Sequence, residues 1–73
     1  MEKGTLEVYR CIIDGKSAAR VVVRGNVGKE GWAILDNLGM TPVEDISNCH
    51  EKMVYSPSEF HELSDALRQA GVV

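Results

Sequence analysis

Long apolar runs, the CxxC and HxxxH spacings of metal sites and cofactor signatures are missing from this 73-residue chain, and each absence removes a class of function. No apolar stretch approaches the roughly 20 residues that cross a bilayer, and Met1-Glu2-Lys3-Gly4 does not open a charged-then-apolar leader. A cytoplasmic location with no membrane contact is the expectation. No CxxC or HxxxH spacing occurs, and Gly25-Asn26-Val27-Gly28 matches neither a phosphate-binding loop nor a dinucleotide fingerprint. We therefore expect no cofactor and no metal. Length adds a further bound, because a chain of this size buries only about 60% of the surface its unfolded form exposes. One small domain over residues 1–73 is the expectation, with little chain left for a catalytic pocket.

What is present is a foldable composition with an uneven charge. Apolar residues make up 44% of the chain, too many for disorder, and the net charge is −3. Through Lys29 the chain carries six basic residues against Glu2, Glu7 and Asp14, giving +3. Beyond it, Lys52 and Arg68 face eight acidic residues, giving −6. A basic surface able to neutralise several phosphates is the usual requirement for nucleic acid. An acidic face suits a basic protein partner instead.

The firmest local signal is Asp14-Gly15 between two β-branched runs, Thr5 to Ile13 and Ser17 to Arg24, which predicts a hairpin on a two-residue type I′ turn. That turn pairs Ile13 with Lys16 and, by alternation, gathers Leu6, Val8, Ile12, Ala19, Val21 and Val23 on a core face. Arg10 is the odd residue there, with its stem over apolar neighbours and its head in water. The other face carries Tyr9, Arg20, Val22 and Arg24, with Tyr9 and Arg20 set for a cation–π contact. Asn26 reads as the N-cap of a helix reaching about Leu38 and stopped by Gly39, with Trp32 as a core anchor. Val43 to Ile46 and Glu51 to Tyr55 read as two short strands around Ser47-Asn48. Ser56-Pro57-Ser58-Glu59 is a capping box with proline in the first helical turn. The helix it starts buries Phe60, Leu63, Leu67 and Ala70 and ends at Gly71.

The expected fold is α+β: a two-layer sandwich in ββαββα order, with a mostly antiparallel four-stranded sheet and two helices on one face, ferredoxin-like in style. Cys11, Cys49, His50 and His61 are the only soft ligand types. Cys49 and His50 are adjacent and would point apart on a strand, so neither a zinc site nor a Cys–His nucleophile is expected. A Cys11–Cys49 disulfide requires the outer strands to meet.

From Leu35 to Val73 the chain resembles part of the YebC-like family of regulators. The residues that carry this are Leu35-Asp36-Asn37-Leu38-Gly39, Val43-Glu44-Asp45, Val54-Tyr55-Ser56-Pro57-Ser58-Glu59-Phe60 and Ala66-Leu67-Arg68-Gln69-Ala70-Gly71. The resemblance implies a scaffold more than an activity, since these residues are caps, turns and core positions. The family's basic, helical nucleic-acid-binding portion has no counterpart here. The expected function is a small non-enzymatic protein-binding module or inhibitor acting through exposed surfaces. Its candidate contacts are an acidic face of Asp45, Glu51, Glu59, Glu62 and Asp65, and a sheet face of Tyr9, Arg20, Val22 and Arg24. The partner would be a protein, basic in character, or a second copy in a homodimer. One form is a phage- or mobile-element inhibitor, anti-CRISPR-like, that covers a basic nucleic-acid-binding surface. The alternative is a nucleic-acid-binding regulatory module built on the basic hairpin.

Overall fold

The computed structural model describes residues 2–73, which form an α+β fold with a four-stranded antiparallel sheet and two helices. In chain order the elements are β1 (Thr5–Ile13), β2 (Lys16–Arg24), α1 (Gly28–Asn37), β3 (Thr41–Pro42), β4 (Cys49–Val54) and α2 (Pro57–Gln69). The strand order in the sheet is β1-β2-β4-β3.

Asp14 and Gly15 both take positive φ, 52° and 77°, as a type I′ turn requires. The register follows, from Ile13↔Lys16 through Tyr9↔Arg20 to Thr5↔Arg24. β4 then pairs with β2 from Ala19↔Val54 to Arg24↔Cys49. On one face Val21, Val23 and Val54 join Leu35 of α1 and Leu63 and Leu67 of α2 in a single core, with Leu6 and Ala19 packed against it. The hydrophobic effect thus fixes which face carries the helices.

Both helices end in the same way. Gly39 and Gly71 sit at φ 80° and 76°, with Gly39 N–H donating to Asp36 O and Met40 N–H to Leu35 O. Gly71 N–H likewise donates to Arg68 O and Val72 N–H to Leu67 O. These are two Schellman stops, each burying the residue after its glycine. At the start of α2, Ser56 Oγ accepts from Glu59 N–H at 3.2 Å. The Glu59 carboxylate reaches one residue further back than expected, accepting from Tyr55 N–H at 3.1 Å.

Several expectations need correction. Val8 and Ile12 are 45% and 76% exposed rather than core: Ile12 lies on the end of the hairpin that projects past Ala19, where β4 stops, and Val8 lies on the edge strand β1, level with Val21 and Lys52. Val22, assigned to the open face, is fully buried. Trp32 is 43% exposed; its ring lies edge-on to His50, with centroids 4.4 Å apart. α1 starts at Gly28 with Val27 in the cap position, and Asn26 Oδ1 accepts from Gly28 N–H. Burial of Val27 in the core sets that entry. The third strand lies earlier than expected, at Thr41–Pro42 instead of Val43 to Ile46. Val43 N–H donates to Cys49 O and Ile46 N–H turns back to Val43 O, so residues 43–48 form a loop. Asn48 closes that loop in the left-handed region, at φ 53°.

Gly4 N–H donates to Val72 O at 2.6 Å, and a Cβ on Gly4 would lie 2.8 Å from both Arg24 O and Val23 Cγ1. Backbone cannot yield cheaply at that distance. Gly4→Ala should therefore lower stability by about 1–3 kcal/mol, read as a reduced urea midpoint at unchanged slope. Ser56→Ala removes the α2 cap and should cost about 1 kcal/mol in the same assay.

Candidate functional site: the hairpin, its charged face and its groove

Strand alternation divides the first hairpin into two surfaces of different character. On the face away from the helices, Glu7, Tyr9, Arg20, Val22 and Arg24 stand together with Cys49 and Glu51 of β4. Arg20 Nε donates to Glu51 Oε1 at 2.6 Å, and Arg24 Nε to Glu7 Oε2 at 2.8 Å. The Tyr9 hydroxyl also donates to Glu7. That bond and the Arg24 guanidinium hold the Glu7 carboxyl below its usual range. The expected Tyr9–Arg20 cation–π pair gives way to these bonds, since Arg20 turns toward β4 and Tyr9 toward Glu7. Val22 lies at the centre of the four charged side chains, directly between Glu7 and Glu51 in register, and their stems cover it. Tyr9, Arg20, Val22 and Arg24 thus share one face, but Val22 presents nothing to solvent.

The acidic residues do not share one face. Glu59, Glu62 and Asp65 are exposed on α2, and Glu59 is engaged in the cap. Asp45 is in the 43–48 loop. Glu51 lies on the opposite side of the sheet from α2, in its ion pair with Arg20. Lys52, between them in sequence, points inward, where its Nζ donates to Leu38 O at 3.0 Å and satisfies the carbonyl end of α1.

The groups with chemical reactivity also lie apart. Cys49 is buried on the charged face and His50 is buried on the helix face, while His61 is exposed on α2. Cys11 and Cys49 are free thiols. They sit at the rungs of Ala18 and Arg24, roughly 20 Å apart at about 3.3 Å per residue, so no disulfide joins them. Among the described residues, no three His, Cys, Asp or Glu side chains converge.

On the helix face, the outer part of the hairpin leaves a groove of about 650 Å³ between itself and the start of α2. Val8, Ile12 and Ala19 form one wall, and Val54, Tyr55 and Phe60 the other. Arg10 is the one charged side chain lining it, and it is exposed with no ion-pair partner among the described residues. The backbone of Ser17 faces the groove at the point where β4 has ended, so its N–H and C=O lack a strand partner. Sequence reasoning found Arg10, Val8 and Ile12 but placed the two aliphatics in the core. The unequal strand lengths, nine residues against six, expose Ile12, and the position of β1 at the sheet edge exposes Val8.

No protein-family model matches the chain, and no curated protein or solved structure matches it.

Burial pushes the His50 pKa below its ordinary value of 6.5, against a smaller upward pull from Asp36. The folded chain therefore keeps this ring neutral where the unfolded chain takes up a proton. Its contribution to stability is complete above pH 6.5 and declines as pH falls below it. We expect the urea midpoint to drop between pH 7.5 and 5.5, and His50→Phe to flatten that part of the profile. Glu7, lowered from 4.5, adds a separate loss only at more acidic pH.

Proposed function

We propose that the protein is a small non-enzymatic protein-binding module whose binding site is the groove between the projecting hairpin and α2. The observation that supports this reading is the groove itself, with apolar walls, one guanidinium without an ion-pair partner among the described residues and the unpaired backbone of Ser17 beside it. An exposed apolar surface of this kind marks an interaction site. Its chemistry fits an extended segment of another protein in which an acidic residue stands between apolar ones. The carboxylate meets Arg10, the apolar side chains enter between Ile12 and Phe60, and backbone bonds form at Ser17.

This reading changes the partner expected from net charge alone. A basic partner would meet an acidic set spread over α2, a loop and the far face of the sheet. Binding to nucleic acid through Arg20 and Arg24 would first require both to leave their carboxylates. An inhibitor of the anti-CRISPR-like kind remains one form of the proposal, with the groove rather than the acidic residues as its contact. The YebC-like resemblance contributes the scaffold, namely the Gly39 and Gly71 stops and the Ser56 cap. We describe the ββαββα packing, with both helices on one face, as ferredoxin-like in style.

The test is a titration of isotope-labelled protein with extended peptides that alternate apolar and acidic residues. Amide shifts should cluster at Val8, Arg10, Ile12, Ser17 and Phe60, and Arg10→Glu should weaken binding at least tenfold while leaving the fold intact. Shifts confined to the Arg20–Glu51 face, or none at millimolar peptide, would overturn the assignment.

A further inference from the structure

The two edges of the sheet are built differently. At one edge β3 is only two residues long and contains Pro42, which offers no N–H. At the other, β1 runs nine residues without proline or lysine. Natural sheets blunt an exposed edge with short strands, proline or charged side chains, lysine above all; β3 is short and carries proline, whereas β1 is long and has Glu7 and Arg10 as its charges. Because Ile13 and Lys16 flank a two-residue turn, they form a hydrogen-bonded pair, and the pattern alternates along the ladder. Leu6, Val8, Arg10 and Ile12 therefore direct their N–H and C=O groups outward.

We infer that β1 pairs with β1 of a second copy, antiparallel and centred on Tyr9, to give a continuous eight-stranded sheet. Only residues with outward backbone groups can bond across such a junction, which permits a symmetric register centred on Val8, Tyr9, Arg10 or their like. A centre at Glu7 sets Glu7 against Glu7, and a centre at Arg10 sets Arg10 against Arg10, both repulsive. A centre at Val8 leaves Ile12 and Ile13 beyond the paired strand. The centre at Tyr9 overlaps all nine residues and places no like charges opposite each other. It sets Leu6 against Ile12, the most exposed large apolar side chain among the described residues, and Val8 against Arg10, giving about eight backbone hydrogen bonds from four facing pairs. Tyr9 meets Tyr9 on the charged face. The contact uses the outward backbone of β1, whereas the groove uses the helix-face side chains of Val8, Arg10 and Ile12; the mass of the peptide-free protein tests the pairing separately from the peptide titration. A pair would carry two grooves related by a two-fold axis.

The mass in solution at millimolar concentration, measured by light scattering, should be twice that of the chain. Arg10→Pro removes an outward N–H without touching the β1–β2 ladder, and Ile12→Lys places a charge at the junction. Each should give a monomer with an unchanged circular dichroism spectrum. In a Cys11→Ser background, Tyr9→Cys should form a disulfide-linked dimer on mild oxidation, since facing residues of a non-hydrogen-bonded pair lie about 4.5 Å apart. A wild-type monomer, a dimer that survives both Arg10→Pro and Ile12→Lys, or a crosslink from Val8→Cys in place of Tyr9→Cys would overturn the inference. So would a monomer whose Leu6, Val8, Arg10 and Ile12 amides become protected only when an unrelated peptide is added.

Discussion

The turn at Asp14-Gly15 sets the register on which every surface of this molecule depends. Two consecutive residues at positive φ close the hairpin with no spare residue, so each side chain from Thr5 to Arg24 is committed to one face. A slip of one position would exchange the faces of one strand. Val21 and Val23 would leave the core, and Arg20 and Arg24 would be carried under the helices, away from Glu51 and Glu7. Burying those guanidinium groups without their carboxylates costs far more than a turn can supply. The turn, the valines and the ion pairs therefore enforce the same register from three directions.

That agreement explains which parts of the fold were legible in the sequence. The hairpin register, the Ser56 cap and both glycine stops depend on local chemistry: a turn dipeptide, a hydroxyl three residues before an acceptor-seeking amide, and a residue able to take positive φ. Each can be recognised within a few residues. The third strand could not be placed this way, because Thr41 and Pro42 pair with Glu51 and His50 across a loop whose course depends on Asn48 and on Val43 bonding to Cys49. Trp32 was misplaced for a similar reason. Its ring packs edge-on against His50, which comes from an element distant in sequence and cannot be read from the pattern of α1.

The candidate site was legible in its residues but not in its shape. Arg10 stood out as a charge on an apolar strand face, and Val8 and Ile12 were recognised as sharing that face. Alternation gives the face of a residue; it does not say whether anything covers it. Coverage depends on where β4 stops and where α2 begins, a difference of three residues between the strands. The same limit applied to Val22, which has no helix above it yet is buried by four long polar side chains. On one surface of the sheet charge does the work of a second layer, while on the other an apolar strip is left open.

The bond between Gly4 and Val72 gives the molecule a polarity. It ties the beginning of β1 to the end of α2, while the Asp14-Gly15 turn and the groove lie at the far end of a body 38 Å long. Any tether attached through either tied segment enters at one pole and leaves the other clear. In an antiparallel pair these poles alternate, so two attached cargoes would be held at opposite ends of the shared sheet, each beside the other copy's groove.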